Sequence, residues 1–230
     1  MRQDSERTRV VAHVRLRCCP SDLAYAYPGY PLERDITKAR GLVAELEARS
    51  EHGAVRALGF LNTAHMGSYA QAVARRVDVS ATRADGRTKA GAAASANYDF
   101  SGGLGCFARA SFNDGQNETW AFTEIDRSLA VGAVQSGARW GREHDEAGAA
   151  LVMAGLSAAH RSYLASGGYG FLIGDGALNY GAEVLGELFY RAGLDEHISL
   201  GVNYQPLFNP AYNRDRGPVH IFTARAHVAF

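Results

Sequence analysis

The sequence predicts an all-β protein of antiparallel strands that cross a membrane, and three observations indicate this class. Apolar and polar residues alternate with a period of two in many separate segments. The last of these segments spans residues 219–230, where Phe222, Val228 and Phe230 share one face. Arg225 and other polar residues share the opposite face. Short and long connections also alternate between the segments, as they do in transmembrane barrels.

Composition agrees with this class. Of the 230 residues 47% are hydrophobic, many of them alanine, and 26 are glycine, which suits short strands joined by tight turns. The formal net charge is zero, so no attraction to nucleic acid is expected. No window of about 18 residues is apolar enough for a transmembrane helix, but a barrel strand needs only about 10 alternating residues. Cys18, Cys19 and Cys106 have no metal-site or redox spacing.

Nine strands are predicted from the alternation. They span residues 41–49, 54–62, 88–98, 104–113, 120–135, 147–157, 183–192, 198–205 and 219–230. The longest connections follow the second, sixth and eighth strands, and two stretches within them, residues 68–76 and 158–165, have helical character. Residues 1–34 are expected to be an irregular segment, and residues 35–230 to form the barrel wall and its loops.

The strand count predicts that the barrel is incomplete. Nine is odd, whereas bacterial single-chain barrels contain an even number of strands. If the last strand ends in the periplasm, the first predicted strand begins outside the cell, where no mature chain should start. Residues 1–9 are rich in charge and no apolar stretch follows them, so no secretory signal is recognised. The expected fold is therefore the C-terminal part of a larger barrel.

Four stretches resemble the carbohydrate-selective porin family of Gram-negative outer membranes, the OprB-type porins, and most closely a branch labelled high-affinity manganese porin. The stretches are residues 56–69 (RALGFLNTAHMGSY), 120–128 (WAFTEIDRS), 170–181 (GFLIGDGALNYG) and 209–218 (NPAYNRDRGP). The resemblance covers residues 35–230. It implies a sixteen-stranded barrel of the outer membrane through which sugars or other small polar solutes diffuse passively. It also implies no cofactor and no enzymatic activity, with the passage of divalent manganese as an alternative.

Charged residues on the polar face of the predicted strands are expected to line a water-filled lumen. They are Glu45, Glu47, Arg49, Arg56, Lys89, Arg109, Glu124, Asp126, Glu187, Arg225 and His227. Our candidates for pore-lining residues are Arg56, Lys89, Arg109, Glu124, Asp126, Glu187 and Arg225. Opposed acids and bases across a pore set its selectivity. The alternative is that a wet lumen tolerates charge and that most of these side chains are solvated wall.

Glu124 and Asp126 are two residues apart on one predicted strand, so their side chains are expected to face the same way. Such a pair either binds a hard divalent cation through oxygen or forms ion pairs with nearby arginines, and we favour the ion pairs. Arg127, between this pair and the rest of the strand, is then expected to face lipid. An arginine in the middle of the membrane costs about 2–4 kcal/mol, a cost that is avoided near the rim of the barrel.

The long loops carry aromatic residues that either stack on sugar rings or pack inside the folded loops. They are Tyr163, Tyr169, Phe171, Tyr180 and Tyr212.

No nucleophile elbow surrounds a serine, so no hydrolase is predicted. The predicted function is that of an outer-membrane porin whose partners are membrane lipid and a small solute, a sugar or a divalent cation, and a homo-oligomer is left open. A soluble antiparallel barrel or sandwich that binds a small ligand is the alternative from another class.

Overall fold

Ten antiparallel strands pair in chain order to form one sheet, within the residues that the computed structural model describes: 9–17, 35–119 and 124–229. The strands are β1 (Arg9–Arg17), β2 (Arg40–Arg49), β3 (Gly53–Met66), β4 (Ala84–Phe100), β5 (Leu104–Asn113), β6 (Arg127–Ser136), β7 (Glu146–Gly155), β8 (Glu183–Gly193), β9 (Ile198–Phe208) and β10 (Val219–Val228). The connections hold the helices α1 (Tyr69–Arg75) and α2 (Ala158–Ala165), and the 3-10 helices Val79–Thr82, Gly137–Trp140 and Pro210–Tyr212. None of the helices in these ranges is long and apolar enough to cross a membrane.

The strand registers give the sheet one apolar face and one charged face, because cross-strand partners share a face. An apolar row of partners across β2 to β7 consists of Leu46, Ala57, Ala94, Ala110, Leu129 and Met153. A polar row on the other side of β2 to β5 consists of Glu47, Arg56, Ser95 and Arg109. We call the apolar side the outer face and the charged side the inner face. The predicted all-β antiparallel fold is confirmed.

The last strand has the two faces that its sequence predicts. β10 pairs with β9 in antiparallel register over its whole length. On the outer face Phe222 is 76% exposed and Val228 is 53% exposed. The prediction of a terminal strand with these apolar side chains on its surface is therefore confirmed, while Phe230 lies outside the described residues.

One strand lies where irregular structure was predicted. β1 pairs with β2 in continuous register, from Arg9 opposite Arg49 to Arg17 opposite Gly41. The first predicted strand, residues 41–49, is therefore not an edge strand, and the sheet has ten strands where nine were predicted. The alternation of β1 is present in the sequence, but it directly follows charged N-terminal residues, and the segment was therefore expected to be irregular. Within the described residues β1 and β10 each pair on one side only, so the sheet is open, as predicted.

The strand ends near the long loops also differ from the prediction. β3 and β4 are longer than predicted, so the loop between them spans only residues 67–83. β6 begins at Arg127 rather than at residue 120, and residues 120–123 lie outside the described part of the chain. As the first residue of its strand Arg127 lies at the rim, with its guanidinium carbon 5.8 Å from the centre of the Phe112 ring. This position removes the cost of a mid-membrane arginine.

The buried core lies in the long connections rather than in the sheet, which is a single layer. Helices α1 and α2 pack together through Tyr69, Tyr163 and Leu164, each 1% exposed. Each helix begins after a serine that stabilises its first turn. The Ser68 hydroxyl accepts a backbone N–H hydrogen bond at the start of α1, and the Ser157 hydroxyl does so at the start of α2. The helical character predicted in these two connections is confirmed.

The turn between β6 and β7, at the opposite end of the sheet, is held by the carboxylate of Asp145. This side chain is 1% exposed and accepts hydrogen bonds from Arg142 Nη2 at 3.2 Å, from Gly193 N–H at 3.0 Å and from the Tyr190 hydroxyl. The bonds from Arg142 and then Tyr190 lower the pKa of Asp145 to about 2. The ionised form of Asp145 is therefore the form that stabilises the turn.

We expect Asp145→Asn to lower the thermal stability of the detergent-solubilised protein at pH 5. A carboxyl group whose pKa is depressed in the folded state stabilises that state above its unfolded pKa, and this contribution is lost as the pH falls through about 2. The difference between the variant and the wild-type protein should therefore shrink as the pH approaches 2. Asp195→Asn, in the exposed turn between β8 and β9, is the control. A difference that stays constant down to pH 2 would contradict this account.

Candidate functional site

The long connections meet over the inner face and border a cavity of about 330 Å³, which we call the loop cavity. Its described lining comes from residues 67–83, from residues 114–119 and 124–126, and from residues 156–182. Lys89, on the inner face of β4, shows that the loops cover this face: it is 9% exposed, and its Nζ donates to Thr119 Oγ1 at 3.2 Å. The site is therefore built by loops that fold over the charged side of the sheet.

Charged groups that line the loop cavity are already hydrogen-bonded. Arg83 Nε donates to Glu118 Oε2 at 2.8 Å, and the Gly67 N–H donates to the same oxygen at 3.0 Å. Asp78 Oδ1 accepts from the Ser80 N–H at 2.9 Å and from the Ser80 hydroxyl at 2.5 Å. The Ser80 hydroxyl bond is the main reason that the pKa of Asp78 lies below its usual value. These side chains offer a solute a polar surface with fixed geometry.

A buried polar cluster lies behind the loop cavity. Asp126 Oδ2 accepts from the Ser157 N–H at 2.8 Å and lies 3.1 Å from His160 Nδ1. Asp126 is 1% exposed and His160 is fully buried, with its ring stacked on that of Tyr69 at a centroid distance of 4.2 Å. Burial opposes the ionisation of Asp126, but the bonds from His160 and Ser157 outweigh it and lower the pKa of Asp126. Burial also raises the pKa of Tyr69.

Glu124 is buried as well, at 5% exposure. Its Oε1 accepts from the N–H of Phe171 at 3.0 Å, and its Oε2 accepts from the N–H groups of Leu172 at 2.9 Å and Ile173 at 3.2 Å. The expectation that Glu124 and Asp126 pair with arginines is therefore wrong, because backbone N–H groups and His160 bind them instead. Among the described residues no group of three or more His, Cys, Asp or Glu side chains is arranged to hold a metal ion.

Two of the other candidates lie on the inner face of neighbouring strands. Arg56 donates from Nε to Glu47 Oε2 at 2.5 Å and from Nη1 to Asn97 Oδ1 at 3.1 Å. Arg109 lies on the same face of β5, with its guanidinium carbon 5.2 Å from the centre of the Phe107 ring. These contacts place both arginines on the wall below the loops.

Glu187 and Arg225 lie near the other edge of the sheet. Both border a hollow of about 370 Å³ on the inner face, together with Arg191 and His227. Glu187 Oε1 accepts from Asn203 Nδ2 at 2.6 Å. The seven candidates thus fall into three groups, one under the loops, one on β3 to β5 and one on β8 to β10. That they line a pore stays a prediction.

The aromatic residues of the loops divide into two sets. Tyr163 and Tyr212 are buried in the loop core, at 1% and 4% exposure, and Tyr180 packs against that core. Tyr169 and Phe171 line the loop cavity and are 57% and 48% exposed. Only this second pair is placed to contact a solute.

Sequence reasoning missed the loop-cavity residues Tyr69, Arg83 and Glu118. Tyr69 begins α1 and falls within a stretch that resembles the porin family, whereas Arg83 and Glu118 lie in irregular segments without periodicity. Ser157 and His160 are neighbours, but Ser157 Oγ donates to the carbonyl oxygen of Gly115 at 2.7 Å rather than to the imidazole. The pair is not arranged as a nucleophile and its base.

A single sheet with an apolar outer face, a charged inner face and loops folded over the inner face has the architecture of a porin wall. The chain belongs to the carbohydrate-selective porin family, OprB family, whose family model matches residues 33–230. A solved structure of OprB from Pseudomonas putida at high pH has a similar fold, with a TM-score of 0.75 and 17% identity over 96% of this chain. The chain spans 56% of the length of that structure. No curated protein matches the chain.

We expect His160→Phe to destabilise the folded loops by about 1.5–3 kcal/mol, the usual contribution of a hydrogen bond to a charged group. A phenyl ring retains the stacking on Tyr69 but leaves Asp126 without its side-chain partner, so the pKa of Asp126 should rise. The loss should be largest at neutral pH and shrink as the pH falls through the pKa of Asp126 in the folded protein.

The measurement is hydrogen exchange of the amides in residues 156–164, followed by mass spectrometry, with the exposed Ser162→Ala on the same helix as the control. Equal protection in His160→Phe and in the wild-type protein would show that the cluster does not hold the loops.

Proposed function

We propose that the chain forms part of an outer-membrane porin through which sugars or other small polar solutes diffuse passively. The observation that carries this proposal is the loop cavity over the charged inner face, where the exposed rings of Tyr169 and Phe171 stand beside polar groups of Ser80 and Thr119. Aromatic surface combined with a few placed hydrogen-bonding groups is typical of sites for small polar ligands. Family membership and fold support a channel rather than an enzyme, and no cofactor is part of the proposal.

The outer face supports contact with membrane lipid. Large apolar side chains stand on it along the sheet, among them Leu151 at 51% exposure, Val202 at 59% and Phe222 at 76%. Exposed apolar patches larger than a few hundred Å² are rare on soluble monomers and are a liability for aggregation. This surface argues against the alternative of a soluble ligand-binding barrel or sandwich.

Closure of the pore needs more wall than the described sheet supplies. Backbone groups without partners cost several kcal/mol each in lipid, so the edges at β1 and β10 must pair with further strands. We propose that such strands complete a sixteen-stranded wall of the family type. The division of the chain near residue 35 and a homo-oligomeric state stay predictions.

The contacts favour a neutral polar solute over a divalent cation. Glu118 is paired with Arg83, and both carboxylate oxygens of Glu124 are bound by backbone N–H groups. These carboxylates therefore have little capacity left to replace the water around a hard cation. Passage of manganese has no comparable observation in its favour.

We expect Ala149→Arg and Ala150→Arg to differ sharply in their effect on insertion. Ala149 is exposed on the outer face and its neighbour Ala150 lies on the inner face, so the same substitution is directed toward lipid in one case and toward water in the other. An arginine at the bilayer midplane costs about 2–4 kcal/mol. The measurement is the folding yield and the urea midpoint in lipid vesicles. Equal losses for the two variants would contradict the assignment of the faces.

We expect the double variant Tyr169→Ala with Phe171→Ala to weaken sugar binding in the pore by about fivefold, which corresponds to about 1 kcal/mol. The channel is purified from outer membranes of cells that express the gene, and sugar-induced block of ion current is measured in planar bilayers. Tyr98→Ala, an exposed aromatic residue on the outer face, is the control. If sugar blocks the current of the double variant as strongly as that of the wild-type channel, these rings do not contact the solute.

A further inference from the structure

The carboxylate of Glu124 lies in a concave arrangement of three successive backbone N–H groups. They belong to Phe171, Leu172 and Ile173 and donate at 3.0, 2.9 and 3.2 Å. Successive N–H groups that converge in this way bind anions, and their hydrogen bonds to a charged acceptor are stronger than neutral ones. The acceptor comes from a residue 47 to 49 positions earlier in the chain. One buried side chain therefore fixes the path of a distant loop.

The segment held in this way forms one side of the loop cavity. It comprises residues 169–173, and it exposes Tyr169, Phe171 and Leu172 at 57%, 48% and 67%. The Gly170 N–H donates to the Ile173 carbonyl at 2.7 Å, which closes the segment into a turn around the carboxylate. A Cβ atom at residue 170 would overlap Glu124 Oε1, so glycine is needed there for the close approach.

Glu124 is itself anchored to the sheet and to a second loop. Its carbonyl oxygen accepts from the Tyr212 hydroxyl at 2.9 Å. Two residues later the backbone of Asp126 bonds to both neighbouring strands, with Asn113 N–H as donor at 2.8 Å and the Gly155 carbonyl as acceptor at 3.0 Å. The Glu124 side chain therefore links a fixed point at the strand end to residues 169–173 on the cavity wall.

We infer that Glu124 is a positioning residue that sets the width of the porin constriction by holding residues 169–173 over the inner face. This inference rests on the proposed function, because it assigns a role within the proposed pore. Glu124 acts through the reach of its side chain and its hydrogen bonds to the loop. A carboxylate with both oxygens bound and 5% exposure has little of its charge open to the lumen. This role differs from the lining charge that the sequence predicts.

Loss of this acceptor leaves three partly buried N–H groups without their partner, and they regain partners when the segment moves further into water. The penalty for unsatisfied polar groups corresponds to a shift of about 5- to 150-fold in the equilibrium between the held and the released segment. The released segment no longer narrows the cavity. The pore should then pass larger solutes and carry more current.

Two variants of Glu124 distinguish the effect of its side-chain length from the effect of its charge. Glu124→Gln keeps the length of the side chain but removes the charge and replaces one acceptor oxygen with a donor. Glu124→Asp keeps the charge but is one methylene too short to reach all three N–H groups. Glu183→Gln is the matched control, since Glu183 Oε2 also accepts one loop N–H, that of Ala211 at 2.8 Å, in a loop outside the cavity lining.

The channel is purified from outer membranes of cells that express the gene for each variant, and conductance and reversal potential are measured in planar bilayers under a salt gradient. Vesicle swelling with sugars of increasing size gives the size limit. We expect both Glu124 variants to raise the conductance and the size limit, with little change in reversal potential, and the control to match the wild-type channel. The inference would be overturned if the Glu124→Asp channel matched the wild-type channel and the Glu124→Gln channel differed from it only in reversal potential. That result would show that Glu124 acts through its charge on the pore lining.

Hydrogen exchange of the amides of residues 171–173 in the detergent-purified protein tests the contact without a working channel. We expect these amides to be protected in the wild-type protein and in the control, and to exchange faster in both Glu124 variants while strand amides stay protected. Equal protection in all proteins would overturn the inference, whatever the conductance. A wild-type protein that forms no channel contradicts the proposed function, and the exchange result then still decides whether Glu124 holds the segment.

Discussion

A single-layered sheet has no second layer against which to bury its apolar side, and this constraint determines the sequence of every strand. Each residue on a strand faces either the outer or the inner side, so apolar and polar residues occupy alternate positions. The row from Leu46 to Met153 and the row from Glu47 to Arg109 are two products of that alternation. Because cross-strand partners share a face, one shifted register would turn a whole strand the wrong way.

Since the sheet encloses no core, the loops supply one. Tyr69, Tyr163 and Leu164 pack two short helices together over the inner face, and this packing brings polar groups into a dry environment. A buried polar group is costly unless it is hydrogen-bonded, and Asp126 and Glu124 each accept several hydrogen bonds. These bonds connect different loops and have fixed directions, so they contribute to the shape of the loop cavity together with the apolar contacts.

The sequence was sufficient to predict most of the strands, because period-two alternation is a local signal that survives in any strand with one wet and one lipid face. β1 was missed because charged residues directly precede it, although it alternates over nine residues. The site was less predictable for a different reason. The bonds from Glu124 span 47 to 49 residues, and no local pattern encodes a contact of that range. Glu118 and Arg83, separated by 35 residues, escaped notice in the same way.

Charged side chains therefore have two roles in this fold. The position of a residue in the alternating pattern does not distinguish these roles. On the strands, side chains such as Arg56 and Glu47 pair with each other across the inner face. In the loops, a carboxylate replaces the backbone partner that an irregular segment lacks, because only strands and helices satisfy their own N–H groups. Burial separates the two roles: Arg109 stays exposed on the wall, whereas Glu124 is buried and bound. Under the proposed function, a charged residue bound by loop N–H groups, such as Glu124, acts on the shape of the pore, and one exposed on the wall, such as Arg109, acts on its field.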